Sequence, residues 1–189
     1  MNDILPDRPR ALVVYESLFG CTERVARAVA QGLEDEGFDI RVQNVSDAES
    51  PWHDDVHLLV VGAPTHAFSL SRPRTRQDAV RQGGRAEAES IGLREWIAAI
   101  DDRSWVRRSA AAFDTRMTAV RRLPKSASTR AAHLLAHRGF HIIARPTGFL
   151  VEDTSGPLVA GELDRARAWG CTLAASYAHD HPRPGTAVG

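Results

Sequence analysis

The chain has 189 residues, enough for one domain with a sizeable core, and its 24 basic and 24 acidic residues cancel, so no overall pull toward nucleic acid is expected. No apolar run approaches the roughly 20 residues that span a bilayer, and the N-terminus, Met-Asn-Asp-Ile-Leu-Pro-Asp-Arg-Pro-Arg, lacks an apolar signal region. Cys21 and Cys171 sit in no CxxC pair or His/Cys cluster, so a cytoplasmic protein with free thiols is expected, with neither a metal site nor a disulfide framework.

In chain order, residues 1–8 read as a flexible N-terminus and residues 9–178 as one domain. Residues 11–15, Ala-Leu-Val-Val-Tyr, form a continuous apolar run, as expected of a strand buried on both faces. A tight turn with Ser17, Gly20 and Thr22 follows. Residues 22–36 then place Val25, Ala28, Val29, Gly32 and Leu33 on one stripe, the spacing of an amphipathic helix that Gly37 would end. Residues 38–45 alternate and read as a strand near a sheet edge; residues 46–56 read as a connection. Residues 56–62, Val-His-Leu-Leu-Val-Val-Gly, are the strongest strand, broken by Ala63-Pro64-Thr65-His66.

An insertion, residues 67–90, is long and polar, with a short helix expected over 75–82. Its weak periodicity predicts little apolar burial and high mobility. It carries Arg72, Arg74, Arg76, Arg81 and Arg85 against Asp78. A solvated face is the plain reading of that charge run, and a docking surface for an anionic ligand or partner the sharper one. Residues 93–100 read as a helix containing Trp96, and 109–113 as a small apolar strand ending at Asp114-Thr115. A helix is expected over 126–138, then a strand over 140–151 interrupted at Pro146, then a last helix over 162–178 carrying Trp169. Residues 179–189 look like a frayed, flexible tail. His133 and His137 have metal-like spacing, but no third ligand accompanies them.

Alternating buried strands and helices imply an α/β domain with a parallel sheet covered on both faces. Ligands of such sheets sit outside the carboxyl ends of the strands. Three segments converge there: 17–22, 63–68 and 114–117. The first is a strand-to-helix turn that aims backbone N–H groups and a helix dipole at one spot, which favours a phosphate. Gly20 lets the backbone approach without a Cβ in the way, and Ser17 and Thr22 add hydroxyl donors. It is neither a Walker A loop nor a GxGxxG fingerprint. The plain alternative is an ordinary helix start with Thr22 near its N-cap.

In order and spacing these segments resemble the flavodoxin family. Ser17, Gly20 and Thr22 match its phosphate loop, Ser/Thr-x-Thr-Gly-x-Thr, whereas Phe19 replaces a hydroxyl and Cys21 stands where Asn is common. Gly-Ala-Pro-Thr-His-Ala-Phe at 62–68 looks like the second flavin loop, and Phe-Asp-Thr-Arg at 113–116 like the third. The second run, with Phe-Leu-Val-Glu-Asp-Thr-Ser-Gly-Pro-Leu at 149–158, looks more like flavodoxin-like proteins of actinobacteria than the small acidic electron carriers.

The resemblance implies a three-layer sandwich around a five-stranded parallel sheet of order 2-1-3-4-5. It also implies FMN held by Ser17, Leu18, Phe19, Gly20, Cys21, Thr22, Pro64, Thr65, His66, Ala67, Phe68, Asp114, Thr115 and Arg116. Phe68 and Phe19 are the nearest aromatic candidates for the flavin ring, Trp52 could reach the crevice, and His66 could cap a ring edge. Thr115, Arg116 and Met117 offer no aromatic at the third loop. Less separation of the two one-electron steps is therefore expected, and an inward Arg116 would add to that effect. No residue is a convincing catalytic side chain. The expected activity is electron transfer through a non-covalent flavin to a redox partner protein. One alternative is a flavin-dependent NAD(P)H or quinone oxidoreductase acting on a small quinone-like substrate, a class in which a homodimer would be ordinary. Another is a flavin-free interaction protein on the same fold.

Overall fold

The computed structural model describes residues 8–48, 56–65, 69–86, 90–100, 108–120 and 126–182. Six strands and five helices are found there: β1 (Arg10–Tyr15), α1 (Cys21–Asp35), β2 (Asp39–Asn44), β3 (Leu58–Pro64), α2 (Pro73–Arg81), α3 (Leu93–Ala98), β4 (Ser109–Met117), α4 (Ala127–His137), β5 (His141–Ile142), β6 (Thr147–Val151) and α5 (Glu162–Asp180). The strands form one parallel sheet of order β2-β1-β3-β4-β5, with β6 also on β4.

Alternation along each central strand decides which helix covers which face. Leu12, Val14, Leu59, Val61, Ala110 and Ala112 pack with Trp96 and Ile97 of α3 and Leu135 of α4. Ala11, Val13, Leu58, Val60, Ala111 and Phe113 pack with Val25, Val29 and Leu33 of α1 and Ala166 and Leu173 of α5. Central strands buried on both faces read as unbroken apolar runs, whereas β2 at the sheet edge alternates. Helices α1 and α5 cross closely because two glycines face each other. A Cβ on Gly32 would stand 2.0 Å from the Arg167 carbonyl oxygen, and one on Gly170 2.3 Å from that of Val29.

Four expectations change. The fifth strand is split into β5 and β6, which share one side of β4: Ser109 and Ala110 pair with β5, and Phe113 to Met117 with β6. The sheet therefore has six strands rather than five. That pairing extends β4 to Met117, four residues past Phe113, so Asp114 to Met117 are strand residues rather than a loop. Helix α2 starts at Pro73, two residues earlier than the spacing suggests. Proline suits the first helical position, and the Thr75 hydroxyl accepts from the Arg72 amide at 2.8 Å. Helix α5 runs on to Asp180, whose carboxylate meets the His141 ring at 3.2 Å.

The insertion also departs from the solvated segment of little burial expected of it. Within its described part, Leu70, Ser71, Arg76 and Ala79 are all buried. Arg76, one of the five arginines of the charge run, donates to Ser71 and Glu95 at 3.2 and 3.1 Å. Arg81 pairs with Asp78 and Arg85 with Glu23.

Candidate functional site

Strand β1 ends at Tyr15, and the chain turns through Ser17–Gly20 into α1. Gly20 is the N-cap, at φ 91°, a left-handed conformation that glycine adopts without a Cβ penalty. Thr22 is the second residue of the helix rather than its cap. The turn is braced by Ser17, a buried residue whose Oγ accepts from the amides of Gly20 at 3.1 Å and Glu23 at 3.3 Å. Among the described residues, the amides of Phe19, Cys21 and Thr22 have no acceptor. Three free N–H groups at the positive end of a 15-residue helix are an arrangement suited to an anion.

The turn borders a cleft of about 200 Å³ at the carboxyl edge of the sheet. Leu18, Phe19, Cys21 and Thr22 line it from the turn, Pro64 and Thr65 from the end of β3, and Thr115 and Arg116 from the end of β4. Parallel register brings them together, since Pro64 pairs with Thr115 and the Thr65 amide donates to the Thr115 carbonyl at 2.8 Å. The hydroxyls of Thr22 and Thr115, both buried, share a hydrogen bond of 2.8 Å. Trp52, His66, Ala67 and Phe68 lie outside the described residues.

Two expected site residues have other work. Asp114, fully buried, accepts from Arg116 Nε and Nη2 at 2.6 and 2.7 Å, and from the amide and hydroxyl of Ser128 at 3.0 and 2.5 Å. It holds the start of α4, where Thr65 Oγ1 also accepts from the Ala127 amide at 3.1 Å. Arg116 lines the cleft, but as one half of a bidentate ion pair whose net charge is zero. The expected Coulomb pull of an inward Arg116 is therefore offset by its own neighbour.

Met117, the last residue of the 114–117 segment, also lines the cleft, as do Val151 and Thr154, which the spacing does not single out. They come from pairing of β4 with β6 and from a turn that doubles back after it: the Glu152 amide donates to the Pro157 carbonyl, and Val159 to Leu150. The Gly156–Pro157 peptide in this turn is cis, and a Cβ on Gly156 would stand 2.8 Å from Cys21 Sγ. The stretch 149–158 is the signal that could have found them. Burial pushes the Cys21 thiol above its ordinary pKa against the pull of Arg24, which disfavours a reactive thiolate.

Beside the turn, Glu16 is a fully buried carboxyl. Its Oε2 accepts from the Leu93 amide at 2.8 Å, and its Oε1 has no hydrogen-bond partner among the described residues. Burial raises its pKa, while Ser71, the Leu93 amide and Arg76 act against the rise.

Two wider hollows, of about 530 and 500 Å³, lie at the amino ends of the strands, around Phe38, His57 and Tyr177 and around Phe140, His141 and Asp180. They sit by the carboxyl ends of α5 and α4, where the helix dipole repels anions. Free amides and convergent strand ends make the smaller cleft the candidate site.

No protein-family model matches the sequence. The structure is similar to a flavodoxin from the domain Archaea, with 18% identity over 90% of this chain and 99% of that one and a TM-score of 0.64. Flavodoxin 2 of Bacillus cereus aligns at 17% identity over 90% and 99% of the two chains, with a TM-score of 0.62. A WrbA-like flavodoxin of Agrobacterium tumefaciens aligns at 18% identity over 90% and 98%, with a TM-score of 0.59. The fold is flavodoxin-like.

Proposed function

We propose that this chain is a flavin-binding redox protein that holds FMN non-covalently at the carboxyl edge of its sheet. The observation that carries the reading is the set of three free amides, of Phe19, Cys21 and Thr22, around a Cβ-less Gly20 at the mouth of the convergent cleft. FMN carries one phosphate monoester, and the turn offers one anion site. When bound, the flavin would supply one- and two-electron transfer.

The chain's own residues bind and orient. The amides of the first turn would take the phosphate oxygens as charge-assisted hydrogen bonds. Ser17 braces the turn, its Oγ accepting from the amides of Gly20 and Glu23, and its O–H is left to donate to a phosphate oxygen. Leu18, Pro64, Met117 and Val151 supply apolar wall to the cleft, and Thr65 and Thr115 its polar floor. His66 and Phe68 remain the proposed ring contacts of the second segment.

Phe19 and Cys21 motivate the flavin-free alternative, since neither gives the turn a hydroxyl. The structure supports the flavin reading instead. Phe19 packs beside Leu18 and Ala79 of α2, and the amides at 19, 21 and 22 stay free. The electron acceptor is a redox partner protein or a small quinone-like molecule. Absorbance in the flavin bands of the purified protein, restored to apoprotein by FMN at one equivalent, tests the binding. Turnover of a quinone with NAD(P)H then separates an enzyme from an electron carrier. A colourless protein that takes up no FMN would refute the reading.

A further inference from the structure

The described part of the insertion returns to the first turn. Ala79 of α2 packs on Leu18, and the Arg85 amide donates to the Leu18 carbonyl at 2.9 Å, so residue 85 is tied to the turn by its backbone. Its guanidinium stands over the turn: a Cβ on Gly20 would lie 3.3 Å from Arg85 Nη2. Arg85 Nη1 pairs with Glu23 Oε2 at 2.5 Å. The other Glu23 oxygen, Oε1, is held separately by Arg27, from Nε at 3.1 Å and Nη2 at 2.9 Å.

These contacts leave Arg85 poised rather than locked. Its side chain is 48% exposed against 17% for Glu23, so the pair is open to solvent on the Arg85 side, where a guanidinium can exchange its partner for water or an anion. If Arg85 turns away, Glu23 keeps Arg27 and is not orphaned. The movement needs side-chain rotation alone, since the backbone bond to Leu18 is unaffected. The position being approached offers three amides but no hydroxyl from Phe19 or Cys21, so a phosphate dianion there would meet no neighbouring charge of opposite sign within the turn itself.

We propose that Arg85 is an anion ligand of this site, turning from Glu23 onto the phosphate monoester and closing the turn from the Gly20 side. A planar, permanently charged fork is suited to two phosphate oxygens at once. The insertion thereby contributes to ligand choice, favouring flavins that carry a terminal phosphate. This rests on the reading of the turn as the FMN phosphate site.

The test is calorimetric titration of the apoprotein and its Arg85→Ala and Arg85→Lys variants with FMN and with riboflavin, beside the thermal shift that inorganic phosphate causes in each. The expected result is that Arg85→Ala weakens FMN by about tenfold or more, the loss of the charge-assisted guanidinium contact. Riboflavin affinity should stay within about twofold of the parent, and Arg85→Lys should recover part of the FMN loss. The stabilisation by phosphate should vanish in Arg85→Ala. Equal losses for both flavins, or no loss for FMN, would overturn the role of Arg85. If the parent bound neither flavin, the functional reading would fall. Arg85 would then be judged by phosphate alone, a shift equal in parent and Arg85→Ala refuting it and one lost in the variant supporting it.

Discussion

The hydroxyls of Thr22 and Thr115 meet at 2.8 Å in a buried position and join the first turn of α1 to the end of β4, 93 residues further along the chain. The bond fixes two walls of the cleft relative to each other. Thr22→Val or Thr115→Val alone would leave the other hydroxyl buried without a partner, at a cost of about 1–3 kcal/mol. The double variant removes both groups and should recover part of that loss. Denaturation midpoints of the four proteins give the coupling directly, and strictly additive losses would show that the two hydroxyls do not depend on each other.

Gly20→Val should abolish flavin binding, whereas Ser17→Ala should only weaken it. A β-branched residue is strained at φ 91°, and its side chain would fill the space between the turn and Arg85. Ser17→Ala frees two amides from their acceptor but blocks nothing. Equilibrium titration with FMN checks the order, and parent-like affinity in both variants would show that the turn is not the site.

Breaking the Asp114–Arg116 pair should destabilise the domain more than it alters flavin affinity. Arg116→Met leaves a fully buried carboxylate without its bidentate partner, a loss of about 3–5 kcal/mol. Adding Asp114→Asn removes that buried charge and should recover part of the stability. Chemical denaturation of the single and double variants measures both, and an unaltered midpoint for Arg116→Met would contradict the role given to the pair.

Glu16 predicts a pH dependence of definite sign. Burial raises its pKa in the folded chain. Between the ordinary glutamate value and that raised value, the folded chain holds a proton the unfolded chain has lost. Stability therefore falls as pH rises through this window and stays reduced above it. Glu16→Gln keeps an acceptor for the Leu93 amide but cannot ionise. The variant should gain on the parent as pH rises from about 4 to neutral. Thermal melts across that range test it, and a difference constant with pH would assign Glu16 no proton linkage.

The central strands were legible because burial on both faces leaves an unbroken apolar run, as in Leu58–Ala63. Gly20 was legible as the residue that opens the helix, where its φ of 91° calls for glycine. What escaped depends on pairing partners distant in sequence. Asp114 to Met117 carry no strand pattern of their own and become strand because β6 continues alongside them. The same pairing brings Val151 and Thr154 to the cleft. Arg76 reads as one more arginine of a solvated run, yet Ser71 and Glu95 draw it into the interior. Arg85 looks the same in composition, and only the return of the chain to Leu18 sets it over the turn.

The central claim is that the first turn binds the phosphate of FMN. Titrating the apoprotein with FMN and with riboflavin tests it most directly, because the two ligands differ only in that group. The account predicts FMN tighter by at least about tenfold, with charge-assisted bonds of about 1.5–3 kcal/mol each as an upper guide. Equal affinities would show that the amides of Phe19, Cys21 and Thr22 hold no phosphate.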